Sequence, residues 1–585
     1  MEGALITAPN TNNETPFNKL IKLFLKLEKI TSHKKIIDEL ALFFEKIKVF
    51  DVKNSAYLVL GDIKPKFEDN DLGMGDKTAL ISIAQAFQRK KEEVEKVFTQ
   101  QGDLGDTAAY FNSKKSGKLN IKTVHEKLIS IEKCSGEGST RKKIDILAEL
   151  LRKASADQSK YILRIVKGNL RLGFGEQFLL EALTKAFTDD IKNKSLVEDK
   201  YQLNTDIGLV AESLARNGIK GIKKFSISLG RPLQAMLAKR IDKLEELNKR
   251  FPQEMAVEEK YDGERVQIHL KNEKAELFSR RLENISSQFP EIRDGIKTAF
   301  KGNKAVLDGE IVAYQNKEFK SFQKLMQRRR KYKVSKYQQK IPTAVFLFDI
   351  LYLEGKSLLK KPYPERRQLL EKNIRQTKYV KLTKQIVTSE FNKFKEFFNQ
   401  SIQKGLEGVI IKSVSKNSIY QPGNRGYLWV KWKKEYTEET RDTFDLVVVG
   451  KYYGKGRRKN TFGALLGALF NKENNTFETF SKVGTGFTDK QFNEIDKLLE
   501  KNQKDSTPSN VNIKKEMKPD VCIEPEIVIE VMGAEITTSP HHTAGIEDKN
   551  RGYALRFPRF LRLRTDKAPH QATTVEELQN IMEIQ

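Results

Sequence analysis

The chain has 585 residues, too many for one compact core, so three or four domains are expected. Its formal net charge of +28 calls for a polyanionic partner, because an excess this large attracts phosphates and does more than keep a surface hydrated. Cys134 and Cys522 are the only cysteines, which excludes a disulfide framework and a four-cysteine zinc site, and no run of about eighteen apolar residues offers a membrane span.

The start, Met1-Glu2-Gly3-Ala4-Leu5, lacks the basic-then-apolar plan of a signal peptide, so a soluble, intracellular protein is expected. From there to about residue 228 apolar residues recur three and four apart, the period of helices. Ile36, Leu40, Phe43 and Ile47 make one face, and Ile144, Leu147 and Leu151 make another behind a Ser139-Thr140 capping signal. These stripes read as core. Two polar interruptions are more informative: Gly102-Asp103-Leu104-Gly105-Asp106, and the segment Lys167 to Gln177. There Gly173 and Gly175, close to Lys167 and Arg171, let backbone amides approach phosphates, as a sequence-independent grip on a duplex requires. A plain corner between two helices would use the same glycines, and spacing alone does not separate the two readings.

The segment Leu229 to Ala238 breaks the helical run at Pro232 and opens a second unit. Strands are expected at Arg265 to Leu270, Ala305 to Ala313, Thr343 to Ile350 and Gly408 to Lys412, with helices after Pro364 and around Phe391 to Ile402. The pattern is that of an α+β domain on antiparallel sheet. After about Tyr436 a third unit runs through glycine-spaced strands, beginning with Phe444 to Gly450 and turning at Tyr453 to Lys459 and at Gly484 to Gly486. Such short strands suit a small barrel of the oligonucleotide-binding (OB) fold. Asn471 to Asn475 and Lys501 to Asn512 read as polar loops, as does His541-His542, which lacks further soft ligands. The expected domains are thus 1–228, 229–436 and 437–585, a multidomain chain ordered all-α, α+β and OB barrel.

The stretch Val257 to Ile268 holds one lysine at a strand edge, Lys260, with Asp262-Gly263 and alternating charge behind it. A lysine attacks only as the neutral amine, so cations or a metal have to stand beside it. Arg265 is a nearby candidate. Alone, Lys-x-Asp-Gly in so lysine-rich a chain reads equally well as a solvated hairpin turn. A lysine attacking a nucleotide α-phosphate also needs a base recess, ribose contacts, hard oxygen ligands and cations, and the middle domain supplies each in chain order. Glu258, two residues back on the same strand face, can accept from an adenine amine. Arg280 can reach a ribose hydroxyl or a phosphate, Glu310 and Glu407 are carboxylates beside glycines, and Phe348 can stack on a base. Lys412, Arg425, Lys431 and Lys433 can surround the phosphates. Each has a duller account by itself; their joint order is what favours the chemistry.

Lys260 to Arg265 resembles the nucleotidyltransferase signature of ATP-dependent DNA ligases, and the resemblance covers nearly the whole chain. Ser279-Arg280, Leu307 to Glu310, Phe348-Asp349, Glu407 to Lys412 and Trp429 to Tyr436 follow in the family's order. Arg556 to Lys567 looks like the family's C-terminal motif, and Glu535 to Pro540 and Leu170 to Gln177 are similar to it as well. The arrangement looks most like the archaeal type, close to the catalytic region of the eukaryotic replicative ligase. Trp432 stands where a smaller aliphatic residue is usual, and the segment before Leu229 is only loosely similar.

The resemblance implies sealing of nicked double-stranded DNA through an AMP adduct on Lys260, with ATP and Mg2+ as cofactors, in replication, repair and recombination. It implies nucleotide contacts from Glu258, Arg265, Arg280, Glu310, Phe348, Lys412, Arg425, Lys431 and Lys433, and magnesium held partly by Glu310 and Glu407. Arg564 and Lys567 would orient the leaving pyrophosphate, and Lys167, Arg171, Gly173 and Gly175 would contact DNA. A monomer in the cytoplasm is expected, or in the nucleus for a eukaryotic source, with a sliding clamp left open as a partner. An RNA ligase or capping guanylyltransferase shares the lysine motif, but the helical N-terminal domain and the full Arg556 to Lys567 element argue against it. A non-catalytic nucleic-acid clamp would not need the lysine and both carboxylates, and an NAD-dependent ligase would carry a cysteine-rich zinc site.

Overall fold

The computed structural model describes residues 14–584 other than 69, 189, 242–243, 317, 329–337, 435–442, 455–460, 534 and 547–550. The expected turn at 455–459 and the junction at 436 lie outside the described residues. The chain divides into two compact units, Met1–Lys433 and Lys434–Gln585.

The first unit opens with helices from Phe17–Leu27 to Ile207–Lys223. Ile36, Leu40 and Phe43 are buried in the helix His33–Lys46, and Ile47 is buried just past its end. Ile144, Leu147 and Leu151 are likewise buried in Ser139–Lys153, and apart from Ile144 the two stripes meet in one shared core. The cap of that helix differs from the expectation: Gly138, at φ +73°, is the N-cap, and no side chain bonds there. The chain enters from a left-handed turn that glycine takes without strain, which leaves Ser139 as the first helical residue. A capping box does form at Ser155 and Gln158, heading Ala156–Val166.

Two sheets follow. The larger runs Lys274–Ser279, Glu264–Lys271, Lys304–Gln315, Thr343–Leu353, Lys356–Ser357, and its inner face buries Val266, Ile268, Leu307, Val345 and Leu347 against Ile292 and Ile296 of the helix Pro290–Ala299. The smaller is ordered Lys239–Arg240, Trp429–Lys433, Gly408–Ser413, Met255–Lys260, Gln385–Thr388. Tyr261-Asp262-Gly263 carries the chain from one to the other. At Gly263 an added Cβ would stand 2.3 Å from the Ile311 carbonyl oxygen, so only glycine allows so close a crossing.

Residues 229–238 form a strap between the helices and both sheets. The Thr205 hydroxyl donates to the Pro232 carbonyl at 2.7 Å, and the Gln234 amide donates to the Gln202 carbonyl at 2.9 Å. On the sheet side the Leu233 amide donates to Gln267 Oε1 at 2.8 Å and the Gly230 amide to His269 Nδ1 at 3.1 Å.

In the second unit the long strand Thr443–Tyr453 pairs along one edge with Phe462–Asn471. Along the other it pairs first with Val528–Met532 and then with Val521–Ile523. Register shifts at Val448/Gly450 and Tyr452/Tyr453 bend it, and the sheet curls around Phe444, Leu465, Phe480 and Ile529. This is the expected small barrel of the OB type. Residues 501–512 are not all loop: Gln503–Lys504 and Val511–Asn512 form edge strands, each too short to show alternation in sequence. No helix among the described residues is long and apolar enough to cross a membrane.

Burial pushes the His269 imidazole down to about 3, so it is neutral in the fold, accepting from Gly230 through Nδ1 and donating through Nε2 to Gln267. In the unfolded chain it titrates near its ordinary value of about 6.5. As pH falls from about 6.5 towards about 3 the unfolded chain therefore binds a proton that the fold does not, and stability drops over that window. Urea midpoints at pH about 7 and about 5 should differ more for wild type than for His269→Gln; equal differences would remove His269 from this account.

Candidate active site

The lysine strand, Met255–Lys260, lies between Gly408–Ser413 and Gln385–Thr388. Lys260 pairs with Gly408, and Gly408 pairs in turn with Lys433 of the neighbouring strand. At Gly408, φ is +144° and an added Cβ would stand 2.2 Å from the Trp432 carbonyl oxygen. The absence of a side chain there lets Lys260, Glu407 and Lys433 converge: the Lys260 ammonium forms an ion pair with Glu407, and Lys433 Nζ lies 3.3 Å from the same Oε2. Burial alone would raise the Glu407 carboxyl, but the two lysines outweigh it and hold the group below its ordinary value. Glu310 is pushed up to about 8 by burial, against the pull of Lys260 and Arg265. Asp262 is also raised, by burial and by the neighbouring Glu407 charge.

Between the two sheets opens a cavity of about 640 Å³. Of the residues expected from sequence, Glu258, Lys260, Arg265, Arg280, Glu310, Phe348, Glu407, Lys412, Arg425, Lys431 and Lys433 all line it. Burial together with the charges of Lys433, Lys260 and Arg425 lowers the Lys431 ammonium, which marks one end of the cavity as a cluster of cations. At another place in the wall Glu258, 2% exposed, accepts from Lys412 Nζ at 2.7 Å and from the Tyr363 hydroxyl.

Two residues stand differently from the expectation. Lys412 does not join the cluster of Lys431, Lys433 and Arg425: it is 1% exposed and packs over the rings of Phe348, Tyr363 and Trp429 at 4.7, 4.5 and 4.4 Å. An ammonium so buried needs a carboxylate partner, and Glu258 is that partner. Arg265 is not a free cation beside Lys260. Its Nε and Nη2 donate to the two oxygens of Asp308 at 3.1 and 2.7 Å, and Nη1 donates to the Met236 carbonyl of the strap at 2.6 Å. Its charge is matched by a bidentate carboxylate within the wall.

A sequence model of the ATP dependent DNA ligase domain matches residues 235–433. Models of the DNA ligase N terminus and of the ATP dependent DNA ligase C terminal region match 16–184 and 458–567. The DNA ligase 1 of Methanosarcina acetivorans is 51% identical over 575 residues, covering 97% of this chain and 99% of that protein. The DNA ligase of Hyperthermus butylicus is 39% identical over 587 residues, covering 96% of each. The solved structure named Pmar-Lig_PreS3 shares the fold at 17% identity and a TM-score of 0.54, over 93% of this chain and 99% of that one.

The chain belongs to the ATP-dependent DNA ligase family. It is an enzyme that binds DNA and seals nicks with ATP, and the RNA-ligase, capping and non-catalytic readings are not favoured.

The ligase's helical region carries the loop from Lys167 to Gly175. Lys167 Nζ pairs with Asp76 at 2.7 Å and Arg171 Nη1 with Asp103 at 3.3 Å. Gly173, at φ +74°, is needed for the turn of the chain, but Gly175 sits in ordinary extended backbone, and a Cβ there would meet nothing within 4 Å. A corner between helices explains the first glycine, and the second is the N-cap of the helix Glu176–Phe187, a place glycine also suits. In the barrel unit, Arg564 Nη1 lies 2.8 and 2.9 Å from the two oxygens of Asp445, and Lys567 Nζ lies 2.6 Å from one of them.

Sequence reasoning missed Trp429 as a ring of the wall, Leu237 and Ala238 of the strap as lining, and Tyr363 as the second donor to Glu258. Trp429 alone carried a signal, as one of two tryptophans in the chain.

The close approach at Gly408 is open to a direct check. Gly408→Ala forces a methyl group onto the Trp432 carbonyl, and it should cost about 2–4 kcal/mol of unfolding free energy by denaturant titration. Ligation activity should fall with it, since the start of the strand beside Glu407 is displaced; a variant of wild-type stability would show that the strands need no glycine there.

Proposed function

We propose that Lys260 is the nucleophile of the ligation, and the observation that carries the reading is its ion pair with Glu407 on the wall of a nucleotide-sized cavity rimmed by Lys431, Lys433 and Arg425. Lys260 Nζ passes a proton to the Glu407 side and attacks the α-phosphorus of ATP; a P–N bond forms, and the P–O bond to pyrophosphate breaks. An oxygen of the 5′-phosphate at the nick then attacks the adenylate phosphorus, and the lysine leaves and takes up a proton again. The 3′-hydroxyl finally attacks the activated 5′-phosphorus and gives up its proton to solvent; the new P–O ester bond forms as the phosphoanhydride bond breaks, and AMP departs. Dividing a difficult condensation into transfers with good leaving groups is what the covalent intermediate achieves.

Glu258 and Phe348 would hold the base, Arg280 a ribose hydroxyl or a phosphate, and Lys431, Lys433 and Arg425 the phosphates. Arg265 would act by fixing the wall through Asp308, and Lys412 by fixing Glu258. The barrel's Arg564 and Lys567, gathered on Asp445, are proposed for the leaving pyrophosphate. No group of three or more His, Cys, Asp or Glu among the described residues makes a protein cage for a metal. Glu310 and Glu407 nonetheless fit Mg2+, which takes one or two carboxylates and completes its shell with water and substrate phosphates. Bound there, the ion would neutralise phosphate charge.

Residues 1–228, 229–436 and 437–585 are proposed as the DNA-binding, adenylation and OB domains. Lys167 and Arg171, with the amides at Gly173 and Gly175, would grip phosphates irrespective of sequence; the start of the helix Glu176–Phe187 directly after Gly175 supports this, because first-turn amides attract anions. A monomer in the cytoplasm is part of the proposal, with a sliding clamp left open as a partner.

Incubation with Mg2+ and ATP labelled at the α-phosphate should leave label on denatured wild-type protein but not on Lys260→Ala, and nicked duplex should chase it to DNA and then to free AMP. Equal labelling of the variant would refute the nucleophile. Separately, Lys167→Ala should weaken duplex binding alike for all sequences and reduce the slope of log K against log salt by about 0.9; an unchanged slope would place Lys167 off the DNA.

A further inference from the structure

Glu258 is held more elaborately than a hydrogen-bond acceptor requires. Oε2 accepts from Lys412 at 2.7 Å, while Oε1 accepts from the Tyr363 hydroxyl. That hydroxyl in turn accepts from Gln385 Nε2 at 3.1 Å, so its single proton is directed at Glu258. Tyr363 is 1% exposed. It opens the helix Tyr363–Asn373, which Arg366 locks to the sheet by donating from Nε and Nη2 to the two oxygens of Asp349, each at 2.9 Å. The hydroxyl therefore cannot swing away.

These contacts have a consequence for the base. An ammonium acts as a point charge about which a carboxylate can rotate, whereas donors on both oxygens fix its plane. Arg367 Nη1 stands 3.7 Å from Oε1 as a further, looser cation, and the side of the carboxylate left open to a ligand is the one that lines the cavity. An exocyclic amine donates there and completes the set. A ring carbon without the amine leaves the carboxylate short of a donor, and a carbonyl repels it, which is how a buried polar site rejects an analogue.

We infer that Tyr363, oriented by Gln385, is a positioning residue that aims Glu258 so that the ligase selects a 6-aminopurine nucleotide over purines lacking the amine. The inference rests on the proposed role of Glu258 as the base acceptor, and the test separates the two.

Adduct formation on Lys260 is measured for wild type, Tyr363→Phe and Glu258→Gln, with α-labelled ATP and with the α-labelled triphosphate of purine riboside, which has no 6-amino group. Tyr363→Phe should raise KM for ATP about tenfold with kcat changed less than about twofold, and leave KM for the des-amino nucleotide unchanged. The preference for ATP then falls about tenfold, whereas a merely structural defect would weaken both nucleotides alike and keep the ratio. A ratio kept in Tyr363→Phe but lost in Glu258→Gln overturns the positioning role and leaves the Glu258 reading standing. A ratio kept in both variants overturns both. Should the phenylalanine chain not fold, Gln385→Leu replaces it: a ratio at least about threefold lower supports the relay, and the wild-type ratio overturns it.

Discussion

Lys260 and Glu407 meet because the strand carrying the lysine lies against Gly408 with no side chain between them, and the same glycine lets Lys433 in from the other side. The rest of the cavity follows from that contact. One carboxylate shared by two lysines keeps both ammonium groups at one spot, and Lys431 and Arg425 extend the positive field along the wall. A triphosphate is the kind of ligand such a field concentrates.

Away from this cluster of cations the wall is built from buried ion pairs, each joining elements distant in sequence. Arg265 with Asp308 joins two strands of the larger sheet while a third bond from Arg265 holds the Met236 carbonyl of the strap, Arg366 with Asp349 ties a helix to the larger sheet, and Lys412 with Glu258 joins two neighbouring strands of the smaller sheet. Desolvation makes such pairs poor sources of net stability, but loss of either member strands a buried charge. Their effect is on arrangement: each narrows the geometries the wall can adopt. The cavity is thereby held in shape by the protein itself, which reduces the ordering that binding of a ligand there would otherwise require.

Much of this was legible in the sequence, for physical reasons that also mark the limit. Burial imprints a period on a helix, so the stripe of Ile36, Leu40 and Phe43 could be read directly, as could the apolar run of the Thr343–Leu353 strand. The residues gathered at the cavity were legible through their order along the chain and their likeness to a known family. What each charged group does there was not. Tyr363 and Glu258 are 105 positions apart and Tyr420 and Asp308 are 112 apart; only the packing of the sheets decides such partners. Lys412 reads as one more phosphate cation until its neighbours are seen to be three aromatic rings. The cap at Gly138 was missed because a left-handed residue just before the helix replaced the side-chain cap that Ser139-Thr140 suggested.

The strap at residues 229–238 occupies the place where a chain of this kind would be cut or extended by an engineer seeking a flexible joint between modules. It is a poor choice. Its Met236 carbonyl is bonded to Arg265, its Met236 amide to the Tyr420 hydroxyl, and Leu237 and Ala238 are themselves part of the cavity lining. An inserted spacer or a split site there would take away a wall of the cavity together with the connection. The turn at Asn471 to Asn475, exposed between two paired strands of the barrel, is the more tolerant point for a tag or a junction.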